Sequence, residues 1–493
     1  MLRHALPVLL TAALWVAGPL ASDAQDLVIL NGRVMDPESG LDAVRHVAIT
    51  GGRITAVSDV APVAPATIDA DGLVVAPGFI DLHAHGQDLA SNRFQVADGV
   101  TTALELEIGT WPVAEYHEAR AGDALIHYGA TVSHVIARYA AIEGHAGSVG
   151  EPGAYRAGAF GSETARSAVS REVVDATLER IAEGLRHGAL GVGFGITYTP
   201  GATHEEIFRA FAAASELEAP IFVHVRAAAR MGGDRLAPLQ EVIANAAATG
   251  VALHIVHLNS STDESARPAL ELIRAARASG IDVTTESYPY TAGSTLIQSA
   301  LFDDWQGDFA NLQWTETGER LTRETFQYYR RGGGTVIIHG RSEETNEWLV
   351  AQPDVIVASD GMSFAAGPAH PRGAGTYSRV LGHYVRQREA LDLMSALTKM
   401  TLLPARRLEA IAPQMKRKGR VQAGADADLV VFDPGEVLDR ATYTDSMQPS
   451  AGIRHVFVGG TAVIRDGTLV EGVRPGLPIY GRHFQAGPRA ARR

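Results

Sequence analysis

The sequence predicts an α/β protein, a (β/α)8 TIM barrel joined to a small discontinuous β-sandwich formed by both ends of the chain. Three observations predict it. Short β-rich runs punctuated by Asn-Gly, Gly-Gly and Asp-Gly turns fill residues 26–77, and the same texture returns at 419–472. Between these ends, apolar strand-like runs alternate with amphipathic stretches at helical spacing, the pattern of repeated βαβ units around a parallel sheet. Eight such runs can be placed, the number that a closed barrel needs.

The elements follow in order. Residues 1–24 carry Arg3, an apolar run from Ala5 to Leu20, then Ser22 and Ala24 in the small-residue spacing of a cleavage site, and are assigned as a signal peptide. Pro7, Gly18 and Pro19 interrupt that run, and it is shorter than the roughly 20 residues of a spanning helix. The protein is therefore expected to be exported, periplasmic or secreted, with no stable membrane anchor. The β-sandwich is assigned to 25–77 plus 415–480 and the barrel to 78–414. Barrel strands are expected at 78–85, 100–109, 130–137, 188–197, 219–227, 251–259, 281–290 and 354–361. Thr203 and Glu206 stand in capping-box spacing ahead of Ile207, Phe208, Phe211 and Leu217, which shows how the intervening helices are specified. TVIIHG at 335–340 reads as an additional strand. The stretches 138–187 and 291–353 exceed ordinary βα connections, so insertions over the barrel mouth are expected there.

Composition removes several functions. With 43 basic and 56 acidic residues the net charge is −13, so the chain offers no basic face to displace counterions, and nucleic acid is excluded as a partner. A hydrophobic fraction of 46% against 20% charged residues can build a large core. There is no cysteine, which excludes disulfides, thiolate metal sites and a cysteine nucleophile. Any metal must be held by histidine and carboxylates. Lysine occurs only at Lys399, Lys416 and Lys418, so nearly the whole barrel lacks it.

In a barrel of this kind the chemistry sits at the C-terminal ends of the strands. His83 and His85 stand two apart at the end of the first strand and so share a face. His224 ends the fifth strand, His257 the sixth and Asp360 the eighth. Each alone has an ordinary structural explanation. Together they converge on one mouth as a set of imidazoles and a carboxylate suited to zinc, one or two ions, with other divalent metals acceptable. His254 falls on the opposite face by strand parity and reads as structural.

These residues lie in PGFIDLHAH (77–85), GVTT (99–102), GALGVGFGITYTPG (188–201), FVHVR (222–226), IVHLN (255–259), SYPYTAGST (287–295), SDG (359–361), HPRGAGTYSRVLGHYVR (370–386) and GRVQAGADADLVVFD (419–433). In these motifs, over nearly the whole mature chain, the sequence resembles the amidohydrolase superfamily and, within it, the D-aminoacylase or N-acyl-D-amino-acid deacylase family. Family members with two metal positions bridge them by a carboxylated lysine, by cysteine in D-aminoacylases, or by glutamate. This barrel leaves only a carboxylate, and Glu105 and Glu107 lie near the place of the D-aminoacylase cysteine. Glu107, nearer the strand end, is the preferred ligand, with Glu105 as its support or substitute.

The resemblance then implies a first metal site of His83, His85 and Asp360 and a second of Glu107, His224 and His257. It gives Asp360 a catalytic role, taking a proton from the attacking water and passing it to the leaving amine. Tyr198, Tyr288 and Arg372 match positions used around substrate, Arg372 as a clamp for an α-carboxylate. Where the family often has a lysine two residues after the sixth-strand histidine, this chain has Asn259, which weakens the case for a doubly anionic substrate. The implied activity is metal-dependent hydrolysis of a small-molecule N-acyl amino acid, of D configuration in the family. The alternatives are a cyclic amide, an isoaspartyl-type dipeptide or an ester as substrate, or a non-catalytic binding protein on this scaffold. A homo-oligomer is compatible with the sequence.

Overall fold

The computed structural model describes residues 25–144, 154–303 and 305–485, so the signal-peptide assignment to 1–24 lies outside the described residues. Among the described residues no helix is long and apolar enough to cross a membrane.

Eight parallel strands form the barrel: β1 (Phe79–Asp81), β2 (Val100–Thr110), β3 (His127–Ser133), β4 (Val192–Gly195), β5 (Ile221–His224), β6 (Leu253–Ile255), β7 (Val283–Ser287) and β8 (Val355–Val357). Each pairs with its neighbours in sequence order. The seam between β8 and β1 is closed differently. It has a single bridge, Ala84 to Gly361, with the Gly361 carbonyl accepting from the amides of His85 (2.8 Å) and Gly86 (3.0 Å). The Asp81 carboxylate adds a bond from the Ser359 amide at 3.0 Å.

Alternation along the strands sets inside from outside. Ile221, Val223, Leu253 and Ile255 join Leu270 and Ile273 in the outer core between sheet and helices. Phe222 and His254 point the other way and meet inside the barrel as a tilted ring pair with centroids 5.3 Å apart.

Seven of the eight strands end earlier than their apolar runs, and two of these ends show why. The run at 130–137 splits at Ser133, whose hydroxyl accepts the Ile136 amide (3.1 Å) and caps a helix over His134–Glu143. The sixth run stops at Ile255, and His257 takes a left-handed conformation (φ 31°). The additional strand is present as Thr335–Ile338, in a sheet of its own: it lies antiparallel between Gly293–Leu296 and Leu312–Trp314. That three-stranded sheet fills much of the 291–353 insertion.

Both ends of the chain merge into one mixed nine-stranded sheet, joined where Leu429–Phe432 runs antiparallel to Val74–Pro77. Period-two alternation gives it two apolar faces. Leu429, Val431 and Phe457 meet Ile29, Val47 and Val75 in a core of the sheet's own. Val430, Phe432 and Val456 meet Phe79, Val100 and Val380 of the barrel unit.

A buried charge fastens the two units. Asp428 accepts from Lys418 Nζ (2.5 Å), His127 Nε2 (3.0 Å) and the Gly459 amide (2.7 Å). Burial alone would raise its pKa, but Lys418 and His127 hold the carboxyl far below the usual range. Asp428→Ala strands Lys418 without its nearest anion in a buried setting, so a loss of about 3 kcal/mol is expected. Urea unfolding followed by circular dichroism measures it, and a loss under about 1 kcal/mol would show the cluster to be incidental.

Candidate metal centre

The strand ends bring six chemical groups to one point. His83 and His85 follow β1, Glu107 projects inward from β2, His224 is the last residue of β5, and His257 and Asp360 lie just beyond β6 and β8. Glu107 Oε2 lies 3.1 Å from His83 Nε2 and 3.2 Å from His85 Nε2. Its other oxygen, Oε1, lies 2.7 Å from His224 Nδ1 and 3.0 Å from His257 Nε2. Asp360 Oδ1 stands 3.4 Å and 3.3 Å from the same nitrogens of His83 and His85. The result is two ligand groups, His83–His85–Glu107–Asp360 and Glu107–His224–His257, each with its atoms within 4.8 Å of one another and sharing Glu107. His257 and Asp360 both hold positive φ (31° and 53°), an uncommon conformation outside glycine that clusters at functional sites.

A second layer of bonds orients the rings. His83 Nδ1 contacts Glu286 (2.5 Å), His85 Nδ1 contacts both oxygens of Glu105 (2.9 Å), and His257 Nδ1 contacts Ser261 (3.1 Å). With Nδ1 donating to a carboxylate, the Nε2 atoms of His83 and His85 are left as lone pairs only 3.2 Å apart. Two acceptors held this close need a cation between or beside them, which is the fit expected of a metal site. Glu105 thus supports His85 and belongs to neither ligand group.

Glu286 is a residue that sequence reading missed. Its sign was available, since a carboxylate in a strand as buried as VTTES needs an internal partner. Its second oxygen takes His254 Nε2 at 3.0 Å. Burial would raise the pKa of Glu286, yet His83 and His254 bring it down to about 2. Burial likewise opposes the charge on Glu107, and His83, His224 and His257 overcome it, holding the group well below the usual range. His254 belongs to neither ligand group, but it points into the barrel, not to the opposite face. The left-handed turn at His257 breaks the parity that separated the two residues.

Both groups open into a cavity. Tyr198 and Tyr288 lie on its wall. The Tyr198 hydroxyl accepts from Thr295 (3.1 Å), and its ring stands edge-on to His224 with centroids 5.0 Å apart. The Tyr288 hydroxyl is buried without a partner. Arg372 requires a correction. Its side chain has no exposed surface; Nη2 lies 2.9 Å from Asp360 Oδ2, and the guanidinium covers the Tyr288 ring at 4.5 Å. It stands behind Asp360 and positions that carboxylate, where the sequence reading had it facing substrate. Asn259 is also away from the cavity, donating to the Tyr288 carbonyl (2.9 Å) and to Asn346 (3.2 Å).

Two models described as amidohydrolase family match the chain, one over residues 66–263 and the other over residues 350–463. The N-acyl-D-glutamate deacylase of Alcaligenes xylosoxydans xylosoxydans is 32% identical over 477 residues, covering 89% of this chain and 93% of that one. The chain belongs to the D-aminoacylase family of amidohydrolases. A D-aminoacylase of the same organism is 31% identical over 90% of this amidohydrolase and 95% of its own length. The crystal structure of N-acyl-D-glutamate deacylase from Bordetella bronchiseptica, solved with zinc and a phosphonate mimic of the tetrahedral intermediate, superposes with a TM-score of 0.76 at 26% identity. It covers 93% of this amidohydrolase and all of that chain. The donor set here, four imidazoles and two carboxylates, is what zinc takes in such sites, and the two groups can hold one or two ions.

Proposed function

We propose that this amidohydrolase cleaves the amide bond of N-acyl amino acids, preferring the D configuration, and releases a carboxylic acid and a free amino acid. The observation that carries the reading is the placement of Asp360 beside the ligand groups and on the wall of the cavity they open into. A bound zinc ion supplies polarisation of the amide carbonyl and lowers the pKa of water towards neutrality.

The chain's own groups do the rest. Burial works against the charge on Asp360, but Arg372 and His83 hold its pKa well below the ordinary carboxylate value, so it begins the reaction as a base. Arg372 holds Oδ2, which leaves Oδ1 turned to the histidines. Asp360 accepts the proton of the attacking water and returns it to the nitrogen as the C–N bond breaks. The return is required, because an amide nitrogen leaves poorly until protonated. Burial keeps Tyr198 a neutral phenol. Since its oxygen already accepts from Thr295, its own proton is free to meet the developing oxyanion.

Export is part of the reading, supported by the apolar leader at 1–24 and by the absence of cysteine, which suits an oxidising compartment. The test is a panel of N-acyl-D- and N-acyl-L-amino acids with zinc-loaded protein. Hydrolysis of D members is expected, and hydrolysis of no member would overturn the proposal.

A further inference from the structure

The insertion at 291–353 borders a further cavity, away from the ligand groups. Leu301 lines the cavity above those groups, whereas the next residue, Phe302, lines another of about 420 Å³. Aromatic rings build its floor. The Phe326 ring lies 5.8 Å from that of Phe302 and 5.1 Å from that of Phe309, and Trp305 stands 5.4 Å from Phe302. The indole Nε1 of Trp305 is buried with no hydrogen-bond partner. A Cβ at Gly307 would lie 2.6 Å from the indole ring, so glycine is what lets the chain pass this close to it.

The other wall is the helix over Arg323–Gly332, which presents Arg323, Gln327 and Arg331 at four-residue spacing along one edge, with Arg330 beside them. Arg330 is already engaged: Nη2 donates to Asp303 Oδ1 (2.5 Å) and Nη1 to the Phe302 carbonyl (2.8 Å). Asp303 is the one carboxylate on this wall among the described residues, and it also takes both arms of Arg166, at 2.8 Å and 2.7 Å. It has nothing left for Arg323 or Arg331, neither of which has a carboxylate within 4 Å among the described residues. Glu324 turns instead to Thr322 (2.8 Å), and the Arg323 guanidinium covers the Phe309 ring at 5.1 Å. Cations in the last turn suit the helix dipole, but Arg323 stands in the first turn and opposes it. Helix stability therefore does not account for Arg323. In a chain of net charge −13, this edge is a local excess of positive charge above an aromatic floor. Its complement is an anion in charge and a flat ring in shape.

We propose that this cavity is a binding site for a small aromatic carboxylate, with its ring among Phe302, Trp305 and Phe309 and its charge on the Arg323–Arg331 edge of the helix. Calorimetric titration of the zinc-loaded protein compares 2-naphthoate with 2-naphthamide, hexanoate and inorganic phosphate. The naphthoate is expected to bind about tenfold or more tightly than each of the others, since it alone joins ring to carboxylate. The double variant Arg323→Gln, Arg331→Gln changes two exposed side chains and should fold as wild type does. It should bind 2-naphthoate about tenfold or more weakly than wild type. Added salt should weaken the wild-type complex and leave the residual binding of the variant nearly unchanged. A carboxylate held on the zinc would bind variant and wild type equally, so equal binding overturns the proposal. No binding by wild type overturns it as well. Binding of the amide, of hexanoate or of phosphate as tightly as the naphthoate would remove the aromatic carboxylate as the ligand, and with it the proposal.

Discussion

Glu107→Ala is expected to leave the protein with less than one ion per chain and to lower kcat/KM by about 10,000-fold or more, since activation of water by the metal accounts for much of such a barrier. The geometry gives Glu107 this weight. Its two oxygens serve different ligand groups, at 3.1 Å and 3.2 Å on one side and 2.7 Å and 3.0 Å on the other, so its removal damages both together. It also takes the anion out of a ring of four imidazoles, which raises the cost of bringing a divalent cation there. Elemental analysis of the purified, reconstituted variant measures the first effect and initial rates the second. Glu107→Gln keeps the shape while removing the charge, and should resemble alanine if charge is what matters. Two ions retained by either variant would remove Glu107 from the centre of the site.

Asp360→Asn is expected to divide the roles in the opposite way, with metal kept and turnover lost. The Glu107–His224–His257 group does not include Asp360, so at least one ion should remain. Asparagine tolerates the positive φ of 53° at this position, so the backbone need not move. An amide cannot take a proton from water at neutral pH, and a fall in kcat of about 1,000-fold is expected, in the range that general acid–base groups contribute. A rate within tenfold of wild type would place the proton transfer elsewhere. Loss of all metal would make Asp360 chiefly a ligand.

Much of the barrel was legible because its strands are buried on both faces and therefore stand out as apolar runs between polar helices. The groups around Glu107 were legible for a related reason: histidines and carboxylates at the ends of such runs have few other uses. The misplacements came from backbone geometry that composition does not carry. A cap at Ser133 turned the second half of one apolar run into helix. The left-handed residue at His257 moved its side chain independently of the strand before it, which misdirected the parity reading of His254. Arg372 could not be placed by residue type, because its position is set by packing, which encloses its side chain behind Asp360.

The seam between β8 and β1 has one last consequence. His83 and His85 sit on one side of it and Asp360 on the other, at the place where the backbone contributes a single bridge. An ion held by all three would therefore act as a rivet across the weakest join in the ring. Catalytic competence and the integrity of the closed barrel would then rise and fall together with the supply of metal, because any ligand that binds only the folded form shifts the folding balance in its favour.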